Sequence, residues 1–114
     1  MAETGLNGPF ALTEAEITLR VDRTSPGTYA LDQAHEDGPF RISYVGRSDT
    51  DVNERLRQHM GKYKRFKFEF YPTPEEAFAK ECGLYHDFNP PATIQHPPRP
   101  IGSKWTCAYC KLFG

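Results

Sequence analysis

Two tripeptides constrain the fold of this chain more than any other feature: Gly27-Thr28-Tyr29 and Tyr44-Val45-Gly46. Each joins a glycine to a tyrosine inside a run that reads as a β-strand. Thr28-Tyr29-Ala30-Leu31 forms a first strand and residues 41–46 a second. The polar stretch 32–40 between them carries Asp37-Gly38-Pro39 and is turn material, so the two strands read as an antiparallel hairpin. A glycine beside a strand residue marks a close approach of a ligand or of another backbone. Tyrosines are common in strands, so either one alone reads as packing; the pair, each with its glycine, is what carries weight.

The rest of the chain supplies elements to pack against it. Asp49 or Thr50 caps a helix whose apolar stripe is Val52, Leu56 and Met60, and Gly61 ends it. Residues 66–71 alternate as a third strand with Phe66, Phe68 and Phe70 on one face. Thr73-Pro74-Glu75-Glu76 starts a helix with threonine as N-cap, proline at the first position and glutamate at the third. That helix runs to about Phe88, with Ala77, Phe78, Leu84, Tyr85 and Phe88 on its apolar side, and Asn89-Pro90-Pro91 stops it. Upstream, residues 1–12 read as loose. Thr13-Glu14-Ala15-Glu16 has the form of a capping box, yet residues 17–21 alternate like a strand, and both readings stand. The expected architecture is α+β: a small three-stranded sheet flanked by helices. Residues 1–24 are expected to form an N-terminal extension and 25–90 the main domain. Residues 91–114 form a Pro-rich connection and a CxxC tail packed on that domain.

At 114 residues the chain is one small domain, burying ~65% of its unfolded surface. Its net charge of −1 argues against coating nucleic acid by bulk electrostatics, while leaving room for a local basic groove. No run approaches the ~18 apolar residues of a membrane span, and the first ten residues lack the basic and apolar regions of a signal peptide. Three cysteines cannot all pair within the chain, so a reduced, cytoplasmic protein is expected.

Several residues carry chemistry. A phenol near a metal could orient or deprotonate water, although a free tyrosine ionises only near pH ~10. Arg55 lies on the helix beside the apolar stripe, and His59 sits one turn on, on the same face. A guanidinium there could grip a phosphate through two parallel hydrogen bonds, or simply belong to a solvated basic face with Arg57. Glu81 projects from the apolar side of its own helix. A carboxylate is rarely buried without a partner, so it reads either as an ion pair or as a ligand for Mg²⁺, which often takes one or two carboxylates and keeps several waters. Lys62, Lys64, Arg65 and Lys67, interleaved with Tyr63 and Phe66 and extended by Arg47, read as a phosphate-tracking strip or as a solubilising edge. Cys82 and His86 share a helical face at i, i+4 and, with Cys107 and Cys110, could complete a four-coordinate zinc site, with His96 a rival ligand. The alternative is three reduced thiols.

Taken in order, Gly27-Thr28-Tyr29, Tyr44-Val45-Gly46, Arg55, His59 and Glu81 resemble the signature of the GIY-YIG nuclease superfamily over residues 25–88. The resemblance implies a sheet flanked by helices, phosphodiester cleavage with one Mg²⁺ or Mn²⁺, and nucleic acid, DNA ahead of RNA, as partner. It implies that Tyr29 and Tyr44 position or activate water and that Arg55 stabilises the phosphate. His59 joins this catalytic set, and Glu81 holds the metal. The chain departs from the family pattern in a longer gap between the two tripeptides and in a late asparagine for which Asn89 is the nearest counterpart. A non-catalytic nucleic-acid-binding module and a zinc-stabilised interaction domain on the same fold are the rival readings.

Overall fold

The computed structural model describes residues 5–33, 40–88, 90 and 93. Its elements are strand β1 (Asn7–Ala11), helix α1 (Glu14–Arg20), strands β2 (Gly27–Asp32) and β3 (Tyr44–Ser48), helix α2 (Val52–Gln58), strand β4 (Arg65–Phe70) and helix α3 (Pro74–Phe88). The strands form one sheet in the order β1-β4-β2-β3, and every neighbouring pair is antiparallel.

The expected hairpin is present, with Tyr29 opposite Gly46 and Thr28 opposite Arg47. The expected three-stranded sheet is corrected to four strands. The added strand is β1, within the stretch read as loose, which pairs with β4 through an irregular register between Asn7 and Phe10. Its Gly8-Pro9 pair hides it from pattern reading, but proline is tolerated on an edge strand, where one side of the ladder is unpaired. The open choice at residues 17–21 resolves to helix: the Thr13 hydroxyl accepts from the Glu16 backbone N–H as a cap, and Ile17 is buried. Residues 7–20, expected in an extension, thus supply an edge strand and a helix to the same sheet.

Strand alternation divides the core in two. Tyr29, Leu31, Phe66 and Phe68 pack with Ile17, Val21, Val52 and Leu56, which places α1 and α2 on one face of the sheet. Ala30 and Val45 pack with Leu84 of α3 on the other. The α2 cap is Asp51, whose side chain accepts from Asn53 N–H, rather than Asp49 or Thr50. Thr73 caps α3 as expected, accepting from Glu76 N–H at 3.2 Å. The Thr28 hydroxyl donates to the Ala77 carbonyl at 2.7 Å and is fully buried. This bond ties α3 to β2 one helical turn before Glu81. Among the described residues no helix is long and apolar enough to cross a membrane.

Candidate active site

Tyr29 lies on the α2 face of β2, and its cross-strand partner Gly46 has no side chain. The phenol uses that gap. A Cβ placed on Gly46 would stand 2.5 Å from the Tyr29 hydroxyl oxygen. The ring therefore crosses β3 and shares a 2.9 Å hydrogen bond with His59 Nε2. His59 is the C-cap of α2, so this bond ties the end of the helix to the central strand. Tyr44, two residues before Gly46 and on the same face, has its ring centroid 5.1 Å from His59 and 6.4 Å from Tyr29. Tyr63 closes the group at 6.1 Å from Tyr44 and 5.9 Å from His59. The sequence offered Tyr63 only as an aromatic within a basic strip. What recruits it is the turn after α2, where Gly61 adopts φ +87°, a conformation that glycine takes at no steric cost.

The other tripeptide glycine has a structural explanation. A Cβ on Gly27 would lie 2.7 Å from the Glu69 carbonyl oxygen and 3.0 Å from Val52. It permits the close approach of β4 and α2.

Protonation follows from burial. Tyr29, 1% exposed, is pushed well above the ordinary phenol range by desolvation, with Tyr44 adding to the rise and Arg55 opposing it. Burial also raises half-buried Tyr44, again with Glu81 adding and Arg55 opposing. His59 is pushed down, first by burial and then by the charges of Arg55 and Lys62. Near neutral pH the cluster thus holds two protonated phenols beside a neutral imidazole. It can donate hydrogen bonds and accept a proton at His59. Burial works against Tyr29 acting as a base by itself.

Glu81 sits on α3, buried. Its Oε1 accepts from Arg47 Nη1 at 2.8 Å, and Arg47 Nε also donates to Asp49 Oδ1 at 2.9 Å. The ion pair, one of the two readings of Glu81, is present, and its partner is Arg47. Burial still pushes the Glu81 carboxyl up to about 7; Arg47 opposes the rise and Asp49 adds to it. By strand alternation Arg47 and Glu81 lie on the α3 face, whereas Tyr29, Tyr44 and His59 lie on the α2 face. The two groups meet around β3, an edge strand, at the level of side-chain-free Gly46. They are close enough that Glu81 and Arg55 both perturb both phenols. Arg55 itself is exposed on α2, with a long 3.5 Å contact from Nη1 to Gln58 Oε1. A polar hollow of about 230 Å³ lies beside it, lined by Ser48, Asp51, Glu54 and Gln58. A larger hollow of about 680 Å³ lies apart from this cluster, over β1 and β4, where Arg20 and Arg23 already stack on Phe10 and Phe70 at 4.7 and 4.6 Å.

The expected basic strip is not one surface. Lys62 and Lys64 are exposed. Arg65 is buried and donates to Asp32 at 2.6 Å, Lys67 lies over the Phe40 ring at 5.0 Å, and Arg47 turns inward to Glu81. Only Lys62 acts electrically on the His59 cluster.

The donor chemistry around Glu81 is hard oxygen. Glu81 and Asp49 both lie within hydrogen-bond distance of one guanidinium, a set that fits a hydrated Mg²⁺ or Mn²⁺ rather than an all-protein cage. Among the described residues no group of three or more His, Cys, Asp or Glu side chains is placed to hold a metal ion. Cys82 is buried on α3, and His86 lies edge-on to Tyr85 one turn later. Cys107, Cys110, His96 and Asn89 lie outside the described residues, so the expected zinc set is described only in its helical half. Comparison of the chain with protein-family models, with curated proteins and with solved structures gave no match.

Proposed function

We propose that this chain is a metal-dependent endonuclease of the GIY-YIG kind, hydrolysing phosphodiester bonds in nucleic acid, with DNA ahead of RNA as substrate. One observation supports it above the others: two phenols and an imidazole gather beside β3 in the space left by Gly46, which the Tyr29 ring needs, and both phenols feel the charges of exposed Arg55 and buried Glu81.

Each side chain then has a task. Arg55, exposed and beside a polar hollow, offers a planar fork to the scissile phosphate. Tyr44, half exposed, orients the attacking water by hydrogen bonding. His59, neutral, is the group ready to take a proton, with Tyr29 fixing its ring through Nε2. Glu81, with Asp49, would hold Mg²⁺ or Mn²⁺, which when bound supplies charge stabilisation at the phosphate.

One observation favours a second reading, a nucleic-acid-binding module without catalysis: Glu81 is already engaged by Arg47. A single comparison separates the two. Supercoiled plasmid and single-stranded RNA are incubated with the protein in Mg²⁺ or Mn²⁺, beside Glu81→Ala. We expect the variant to nick about 10²-fold more slowly or worse, the scale of losing one charge-stabilising group. Wild type no faster than the variant on every substrate refutes the nuclease; retained gel-shift affinity in chelator without cleavage then supports the binding module.

A further inference from the structure

The sequence offers Arg47 as an extension of a basic strip, phosphate-tracking or merely solubilising, whereas the fold turns it inward. Its side chain is 9% exposed, and its guanidinium lies 5.0 Å above the Phe78 ring of α3. It is gripped by carboxylates from two separate elements: Glu81 of α3 at 2.8 Å and Asp49, just past β3, at 2.9 Å. A buried carboxylate needs a positive charge beside it, and Arg47 supplies one from within the chain.

We propose that Arg47 is a positioning residue acting through Glu81: an internal cation that holds the carboxylate in place and has to yield before a divalent metal ion can occupy it. This rests on the nuclease reading for what the metal is for, but not for the competition itself. A guanidinium and a divalent ion compete for the same carboxylate lone pairs, and side by side in a buried place they repel. Because Arg47 is covalently fixed between Gly46 and Ser48, it remains at high local concentration, and the metal binds only the fraction of molecules in which the pair is open. The apparent dissociation constant rises by the inverse of that fraction. The aromatic ring under the guanidinium deepens the closed arrangement, while Asp49 draws on the other side of the same guanidinium. The consequence is a site that is rigid without metal and fills only at raised metal concentration.

The test is a metal titration that needs no substrate. Mn²⁺ binding to the full chain is followed by electron paramagnetic resonance, and Tb³⁺ binding by luminescence sensitised through the neighbouring tyrosines. The variants are Arg47→Gln, Arg47→Lys and Glu81→Gln, with circular dichroism as the folding control. Arg47→Gln should bind Mn²⁺ about 10-fold tighter or better, since the competitor is gone. Arg47→Lys, which keeps the charge but loses the fork, should fall between that variant and wild type. Glu81→Gln should lose the site. Should Arg47→Gln fail to fold, Arg47→Lys carries the test: tighter binding than wild type supports the inference, and equal or weaker binding overturns it. An Arg47→Gln protein that folds and binds no tighter also overturns it. Plasmid nicking runs alongside. Nicking by wild type with unchanged Arg47→Gln affinity defeats this inference and leaves the nuclease reading intact. Tighter binding with no nicking by any variant keeps the inference and defeats that reading. Binding by no variant defeats the inference whatever the nicking shows.

Discussion

Two buried carboxylate–arginine pairs lie on the same face of the sheet, at opposite ends of β2, and they are built differently. Asp32, the last residue of β2, faces Arg65 directly across the ladder, and its Oδ2 accepts from Arg65 Nη2 at 2.6 Å and from the Arg41 backbone N–H at 3.1 Å. The pair is part of the strand register. Glu81 instead reaches from a helix to Arg47, opposite Thr28 on the neighbouring strand, and must share that guanidinium with Asp49. Four residues of β2 separate the two places, ~13 Å at strand rise. The first pair closes a sheet. The second leaves a carboxylate poised to change protonation or partner.

The largest expected effect breaks the first pair. Asp32→Ala leaves the Arg65 guanidinium buried, 6% exposed, without its main counter-charge, and breaking a buried pair from one side costs about 3–5 kcal/mol. For a domain of this size that lowers Tm by roughly 10–20 °C, measurable by calorimetry. On the nuclease proposal, nicking per folded molecule at low temperature should stay near wild type, because the Asp32 side chain lies on the α3 face of the sheet and the His59 cluster on the other. Loss of activity in a folded Asp32→Ala protein would show that the two regions are not separate.

The next effect concerns pH and belongs to Glu81. Its carboxyl is raised from 4.5 to about 7 in the folded protein, so between those values the native state retains a proton that the unfolded chain releases. Stability is therefore greatest below the unfolded value and is lost as pH rises through about 7. The whole swing is at most ~3 kcal/mol, at 1.4 kcal/mol per unit. His59 acts with the opposite sign: its folded pKa is lowered, so it destabilises the fold as pH falls below ~6.5. Glu81→Gln isolates the carboxyl, since glutamine mimics the protonated form and leaves His59 in place. Urea unfolding at pH 5, 6, 7 and 8 should show the variant gaining on wild type by ~2–3 kcal/mol across that range. Parallel profiles would mean that Arg47 fully compensates the charge and that Glu81 is as closed a pair as Asp32.

The two pairs also differ in how far the sequence shows them. The hairpin, the α3 cap at Thr73 and the inward Glu81 are all visible, because turn chemistry, capping and helical spacing are local signals. Edge strand β1 is not, since Asn7-Gly8-Pro9 carries the marks of a break, and only pairing with β4 makes it a strand. Glu81 can be found by spacing, but its partner cannot: Arg47 and Arg55 both lie upstream at plausible positions, and strand alternation decides between them only once α3 has been placed on one face. The inward turn of Arg65 is hidden for the same reason. In a run of Lys62, Lys64, Arg65 and Lys67 the charges look alike, and the ladder partner Asp32 is 33 residues away. Asp49 reads in the sequence only as a candidate helix cap, yet in the fold it shares the guanidinium of the site.

Asp49 gives the smallest and finest test of the contrast. Its side chain is 37% exposed, so its bond to Arg47 is worth only ~0–1 kcal/mol, and Asp49→Asn should barely move the unfolding midpoint. The informative quantity is the titration of Glu81, followed by carbon-13 NMR of its carboxylate. Asp49 is one of the charges that raise the Glu81 pKa, so removing it lowers that pKa directly. It also returns the whole guanidinium to Glu81, which lowers the pKa further. Both effects have the same sign, and the Glu81 midpoint should fall below about 7. A midpoint that rises would reverse the assignment, making Asp49 the leash that holds Arg47 against Glu81 rather than its rival, and the site would then be a three-membered cluster as mutually dependent as the Arg41–Asp32–Arg65 arrangement at the other end of β2.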